Sequence, residues 1–123
     1  MLEPTTFLGA SAWKLQNDVL TAIVLPEHGG KVASLVYRPQ NWELLFQNPK
    51  GGFREASRGD DFSDYEACGF DDAFPTVDAC EVQLSGRTVQ YPDHGELWSA
   101  AFTAEACGDT LCLRWQSHEL GYT

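Results

Sequence analysis

From Trp98 onward the chain alternates with a period of two, and that alternation constrains its fold more than any other feature. Trp98, Ala100, Phe102, Ala104 and Ala106 take turns with Ser99, Ala101, Thr103 and Glu105. Gly108-Asp109 then reverses the chain into Leu111, Leu113 and Trp115, which alternate with Cys112, Arg114 and Gln116. Successive strand side chains point to opposite faces, so this pattern predicts an antiparallel hairpin with one face in a core. No segment carries a sustained helical period, and no internal repeat is visible.

The rest of the chain reads the same way. Val19 to Leu25 is a continuous apolar run rich in β-branched residues, predicting a strand buried on both faces. Pro26-Glu27-His28-Gly29-Gly30 is a turn, and Val32 to Tyr37 a second strand that ends at Arg38-Pro39-Gln40-Asn41. Trp42 to Gln47 is expected to form a third strand. A long irregular loop, about residues 48–76, follows; loops this long inside a domain are usually functional or disordered. The expected class is all-β, with residues 1–123 forming one partial domain.

Charge excludes several partners. Eighteen Asp and Glu against eight Lys and Arg leave a net charge of −10, which repels phosphate backbones and anionic bilayers. No apolar stretch approaches the roughly 20 residues that span a bilayer. Met1-Leu2-Glu3-Pro4-Thr5 lacks the basic and apolar regions of a signal peptide, so the reading is a cytoplasmic protein, with neither nucleic acid nor membrane as partner. Cys68, Cys80, Cys107 and Cys112 form no Cys-x-x-Cys pair and are expected as buried free thiols, although a loop at Gly108-Asp109 would place Cys107 and Cys112 opposite each other. Asp60, Asp61, Asp64 and Glu66 lack the order of an EF-hand loop and read as a solvated charge run. His28, His94 and Glu96 lack the His-x-His pair of a cupin-type centre. No metal and no cofactor is expected.

The chemistry concentrates in Pro92-Asp93-His94-Gly95-Glu96-Leu97-Trp98. Gly95 accepts a positive φ and lets the backbone turn tightly beside the imidazole, while Pro92 fixes its own φ. A held histidine exchanges protons near neutral pH, and Trp98 offers a flat apolar surface with one polar handle. About twenty residues earlier stands Gly69-Phe70-Asp71-Asp72-Ala73-Phe74-Pro75-Thr76; before that come Glu27-His28-Gly29-Gly30-Lys31-Val32-Ala33-Ser34-Leu35 and Glu43-Leu44-Leu45-Phe46.

Taken in that order, these four motifs resemble the aldose 1-epimerase, or galactose mutarotase-like, family, over about residues 20–102. The match is closer to a less characterised branch than to the galactose enzymes, whose histidine loop usually reads His-Gly-Gly. The resemblance implies an antiparallel β-sandwich of the galactose mutarotase-like supersandwich type, of which this chain would be the N-terminal half. The segment 117–123 then reads as a connection into another element. Uncovered strand edges and an uncovered sheet face would favour a homodimer or another associated chain.

The implied activity is interconversion of sugar anomers by acid–base ring opening, without metal or redox cofactor. In that family two histidines and a carboxylate share the proton transfers. His94 matches the first histidine; the second and the catalytic Glu belong to the family's C-terminal half, and His118 stands in the wrong context to replace them. The chain alone is therefore expected to turn over little or no sugar. His94 is the candidate catalytic residue, the alternative being a structural turn histidine. Asp71, Asp72, Phe74, Asp93, Glu96 and Trp98 are the candidate sugar-binding residues. For the acids the alternatives are solvated or loop-capping side chains, and for Trp98 a place in the core beside Phe102. His28 reads as a turn histidine without a role. Two other classes stay open: a non-catalytic carbohydrate-binding or regulatory module, and a structural β-domain.

Overall fold

The computed structural model describes residues 1–117, 119 and 121–123. The architecture is all-β and antiparallel, consistent with a sandwich-like arrangement. Strands β1 (Leu2–Phe7), β2 (Ala10–Gln16), β3 (Leu20–Leu25), β4 (Lys31–Tyr37) and β5 (Trp42–Glu43) form one sheet in sequential order. Two separate ribbons follow: β6 (Cys80–Leu84) with β7 (Arg87–Tyr91), and β8 (Thr103–Cys107) with β9 (Thr110–Arg114). Among the described residues, no helix is long and apolar enough to cross a membrane.

Two hairpins lie where the sequence reading assigned nothing. Leu8-Gly9 joins β1 to β2 and Ser85-Gly86 joins β6 to β7, each with both turn residues at positive φ. Such a pair matches the right-handed twist of the flanking strands, and Ser-Gly is a recognisable turn signal. Around Leu8-Gly9 the strands are mostly half-buried and give no strict alternation, whereas Cys80, Val82 and Leu84 alternate with Glu81 and Gln83 ahead of Ser85-Gly86, a signal the sequence reading did not use.

Three strand assignments are corrected. Burial in β3 is confined to Ile23, Val24 and Leu25, and Val19 is exposed. The third strand stops at Glu43 because its carboxylate accepts from the backbone amides of Leu35 (3.0 Å) and Leu45 (2.9 Å), diverting ladder groups to a side chain. The alternation from Trp98 is not all strand: Leu97–Ser99 is a 3₁₀ turn, and β8 starts only at Thr103. Between them, the Ala100 carbonyl accepts from Gly29 (2.8 Å) and the Phe102 amide donates to Pro26 (3.0 Å), so this piece is bonded to a turn. All four cysteines are free thiols, yet only Cys68 is buried; Cys107 faces Thr110 and Cys112 faces Glu105 across the ribbon.

The sheet core packs Ala12, Ile23, Leu25 and Ala33, with Phe7, Ala10 and Phe53 against them. Phe53 belongs to the long loop, so that loop covers part of the sheet. A register shift between Ile23 and Val24 leaves Ala33 without a Cα partner, a bulge in β4. Lys31, two residues before Ala33, is buried as well.

Close backbone approach brings the last motif onto the loop. A Cβ on Gly95, which sits at φ +71°, would lie 2.2 Å from the Phe74 carbonyl oxygen. Gly86 has a similar φ, with nothing within 4 Å of a Cβ. Positive φ alone costs a non-glycine residue about 1–3 kcal/mol. Gly86→Ala should therefore lose stability in that range. Gly95→Ala adds a backbone collision and should reach the exceptional loss of about 4 kcal/mol or more. Urea unfolding midpoints of the two variants compare them directly, and equal losses would show that the Gly95 turn does not depend on this contact.

Candidate functional site

The turn that carries His94 is held by its backbone. The His94 amide donates to the Val77 carbonyl (2.7 Å), the Gly95 amide to Pro92 (3.0 Å) and the Glu96 amide to Phe74 (2.7 Å). Phe74 and Gly95 form an isolated parallel bridge. His94 itself stands in the left-handed region at φ +57°, an uncommon setting for a non-glycine residue and a pointer toward function when it occurs in a cleft.

The imidazole is oriented from two sides. Its Nδ1 lies 2.8 Å from Asp93 Oδ2, and the Phe62 ring stacks on it with centroids 4.1 Å apart and planes inclined by 14°. Phe62 opens a short 3₁₀ turn, Phe62–Asp64, in the middle of the long loop. Asp61 caps that turn, accepting from the Ser63 amide (2.9 Å) and hydroxyl (2.7 Å), which holds its carboxyl below the usual range. No hydrogen bond to a described residue engages His94 Nε2. About a third of the side chain remains exposed.

His94, Phe62, Asp71, Asp72 and Trp98 share one open hollow of about 260 Å³, which Gly69 and Phe70 also line. That volume lies just below the range of about 300–1,000 Å³ usual for ligand pockets. Trp98 is buried, edge-on to Phe62 (5.1 Å) and Tyr65 (5.3 Å), and its Nε1 donates to the Asp93 carbonyl (3.3 Å). Its neighbours are therefore the loop aromatics rather than Phe102. Asp72 is exposed at the rim.

Asp71 is the recessed acid of the hollow. Its Oδ2 accepts from Lys31 Nζ at 2.5 Å, and the same ammonium donates to the carbonyls of Cys68 (2.7 Å) and Glu66 (3.3 Å). Burial pushes the Asp71 carboxyl up, while the Lys31 ammonium pulls against that rise. Sequence reasoning missed Lys31. The available signal was a charged residue heading a strand whose neighbours are apolar; no local rule names its partner.

Two candidates stand elsewhere. Phe74 follows the loop to a separate open concavity with Leu97, Phe102, Trp115 and Tyr122, where its ring is edge-on to Tyr122 at 5.7 Å. Glu96 is almost fully buried; its carboxylate accepts from Arg58 Nε (3.0 Å), the Tyr122 hydroxyl (2.5 Å) and the Ser117 hydroxyl (3.2 Å). Burial and Glu96 together push the Tyr122 phenol above its ordinary range. His28 packs against Phe53 (5.7 Å) beside a neighbouring water-sized cavity that also touches Lys31, Asp71 and Trp98. The reading of His118 falls outside the described residues. Among those residues no group of three His, Cys, Asp or Glu is placed to hold a metal.

The hollow can accept hydroxyl donors on Asp71 and Asp72, offer apolar ring edges to a ligand's carbon face, and exchange a proton through His94. No protein-family model matches the chain, and no curated protein matches it either.

Removing the ammonium should expose what Lys31 contributes to the buried Asp71 carboxyl. Lys31→Met leaves a buried carboxylate without its partner, a loss of about 3–5 kcal/mol at pH 7. Its folded pKa then rises further above the unfolded value, so the penalty is complete above the folded pKa. It disappears as pH falls toward the unfolded value of about 3.9. Urea unfolding of Lys31→Met and wild type at pH 7 and pH 4.5 should show the gap narrowing in acid. A gap independent of pH would show that Asp71 is not the group left stranded.

Proposed function

We propose that this chain forms the sugar-binding wall of an aldose 1-epimerase-like carbohydrate isomerase, with His94 as one of its proton-handling groups. One observation carries the reading: an imidazole oriented by Asp93 and Phe62, with Nε2 unengaged among the described residues, lines the same hollow as Asp71, Asp72 and Trp98. The motif resemblance supplies the reaction. A base removes the anomeric hydroxyl proton as the C1–O5 bond breaks, and an acid protonates O5 to give the open-chain aldehyde. Rotation about C1–C2 and the reverse transfers close the other anomer. Each positioned acid or base is worth about 10²–10⁴ in rate.

The resembled family shares the proton transfers among two histidines and a glutamate; His94 matches the first of these, and the chain is proposed to bind sugar at the hollow that His94 lines. A non-catalytic binding module is the second reading. It is favoured by the engagement of Asp71 with Lys31, which ties up the carboxylate that would otherwise complement His94.

Titration with D-glucose and D-galactose at millimolar concentration should shift the NMR signals of the His94 imidazole and the Trp98 indole. His94→Ala should abolish the Trp98 response or weaken it by about tenfold. No sugar-dependent shift at either ring would remove the carbohydrate reading. Polarimetry of freshly dissolved α-glucose separates the two versions: rapid mutarotation lost in His94→Ala would show that the chain carries the whole relay, and a rate at the blank level agrees with binding alone.

A further inference from the structure

We infer that Glu96 is a positioning residue for the hollow, not a sugar ligand. Through Arg58 it holds the long loop so that Phe62 lies flat on His94. Both Glu96 oxygens are occupied by the protein. Oε1 accepts from Arg58 Nε at 3.0 Å, and Oε2 from the Tyr122 hydroxyl at 2.5 Å and the Ser117 hydroxyl at 3.2 Å. The side chain is about 1% exposed, so a sugar hydroxyl finds neither access nor a spare acceptor.

Arg58 is well built for the task. Its Nη2 donates to the Gln90 carbonyl at 2.9 Å while Nε holds Glu96, so the planar fork spans the end of β7 and the histidine turn at once. Among the described residues this is the only ion pair between the long loop and the turn at 92–99. Four residues beyond Arg58, the Asp61-capped 3₁₀ turn presents Phe62 to the imidazole at 4.1 Å. Glu96 is two residues from His94, so a single turn carries both the imidazole and the anchor of the ring that covers it. The acid in the motif therefore acts on the histidine by way of the loop.

An aromatic ring stacked on an imidazole displaces that imidazole's proton signals upfield, so NMR reads the clamp without any ligand. Phe62→Leu defines the unstacked position. Arg58→Met and Glu96→Gln should each move the His94 ring signals most of the way to it. The double variant should move them no further, because both changes cut one link. Arg58→Lys keeps the charge but loses the fork and should restore the shift in part. If Arg58→Met does not fold, judged by amide dispersion, Arg58→Lys alone decides, with a partial displacement expected. His94 signals that stay at the wild-type position in the folded Arg58 variants, while Phe62→Leu moves them, would overturn the inference.

A second arm rests on the sugar reading above: Glu96→Gln and Arg58→Met should weaken D-glucose by equal factors. Weakening in Glu96→Gln alone would make Glu96 a direct ligand and also overturn the inference. If glucose perturbs nothing in the wild type, the sugar reading falls and the ring-shift arm still decides the clamp.

Discussion

A lysine ammonium almost sealed from water ties the long loop to the sheet. Lys31 leaves the start of β4 beneath that loop and meets two of its carbonyls and one of its carboxylates. A buried charge of this kind is tolerated only when its donors are satisfied, so the loop has to come back over the sheet at residues 66–71. Two backbone bonds between Val32 and Phe70 then extend the attachment. One side of the hollow follows from this return: Asp71 is recessed, Asp72 is exposed, and Gly69 and Phe70 join the lining.

The histidine turn is fastened by different means. Its backbone is clasped by residues 74–77, which a glycine at position 95 permits, and its buried acid is clasped by Arg58 and Tyr122. Polar groups in the low-dielectric interior are costly unless fully bonded, and Glu96 shows what full bonding requires: donors from the loop, from Tyr122 and from Ser117. The result fixes the backbone on both sides of His94 and brings the long loop against it.

Several elements were legible before the fold was known. The strands at Leu20–Leu25 and Lys31–Tyr37 announced themselves by apolar runs between turn residues, and the ribbon Thr103–Arg114 by its alternation about Gly108-Asp109. That His94, Asp71, Asp72 and Trp98 line one hollow was not legible, since no spacing along the chain specifies it. The hairpin at Leu8-Gly9 was not legible either, because β1 and β2 are mostly half-buried without strict alternation, whereas the one at Ser85-Gly86 went unread although Cys80, Val82 and Leu84 alternate with Glu81 and Gln83. The alternation at Trp98–Phe102 misled, since a period of two describes side-chain direction and says nothing about which backbone groups accept the hydrogen bonds.

The amino-acid order by itself determined the all-β class, the tight turn that exposes an imidazole, and the net charge of −10. Those are properties of neighbouring residues or of the whole composition, set by φ preferences, period and summed charge. Only the tertiary structure decided which acid is which: Asp71 at the hollow on Lys31, Asp93 on the imidazole, Glu96 buried on Arg58. The partners of Asp71 and Glu96 stand 40 and 38 residues away along the chain. A carboxylate's role depends on what shares its dielectric surroundings, and that is settled when distant segments pack.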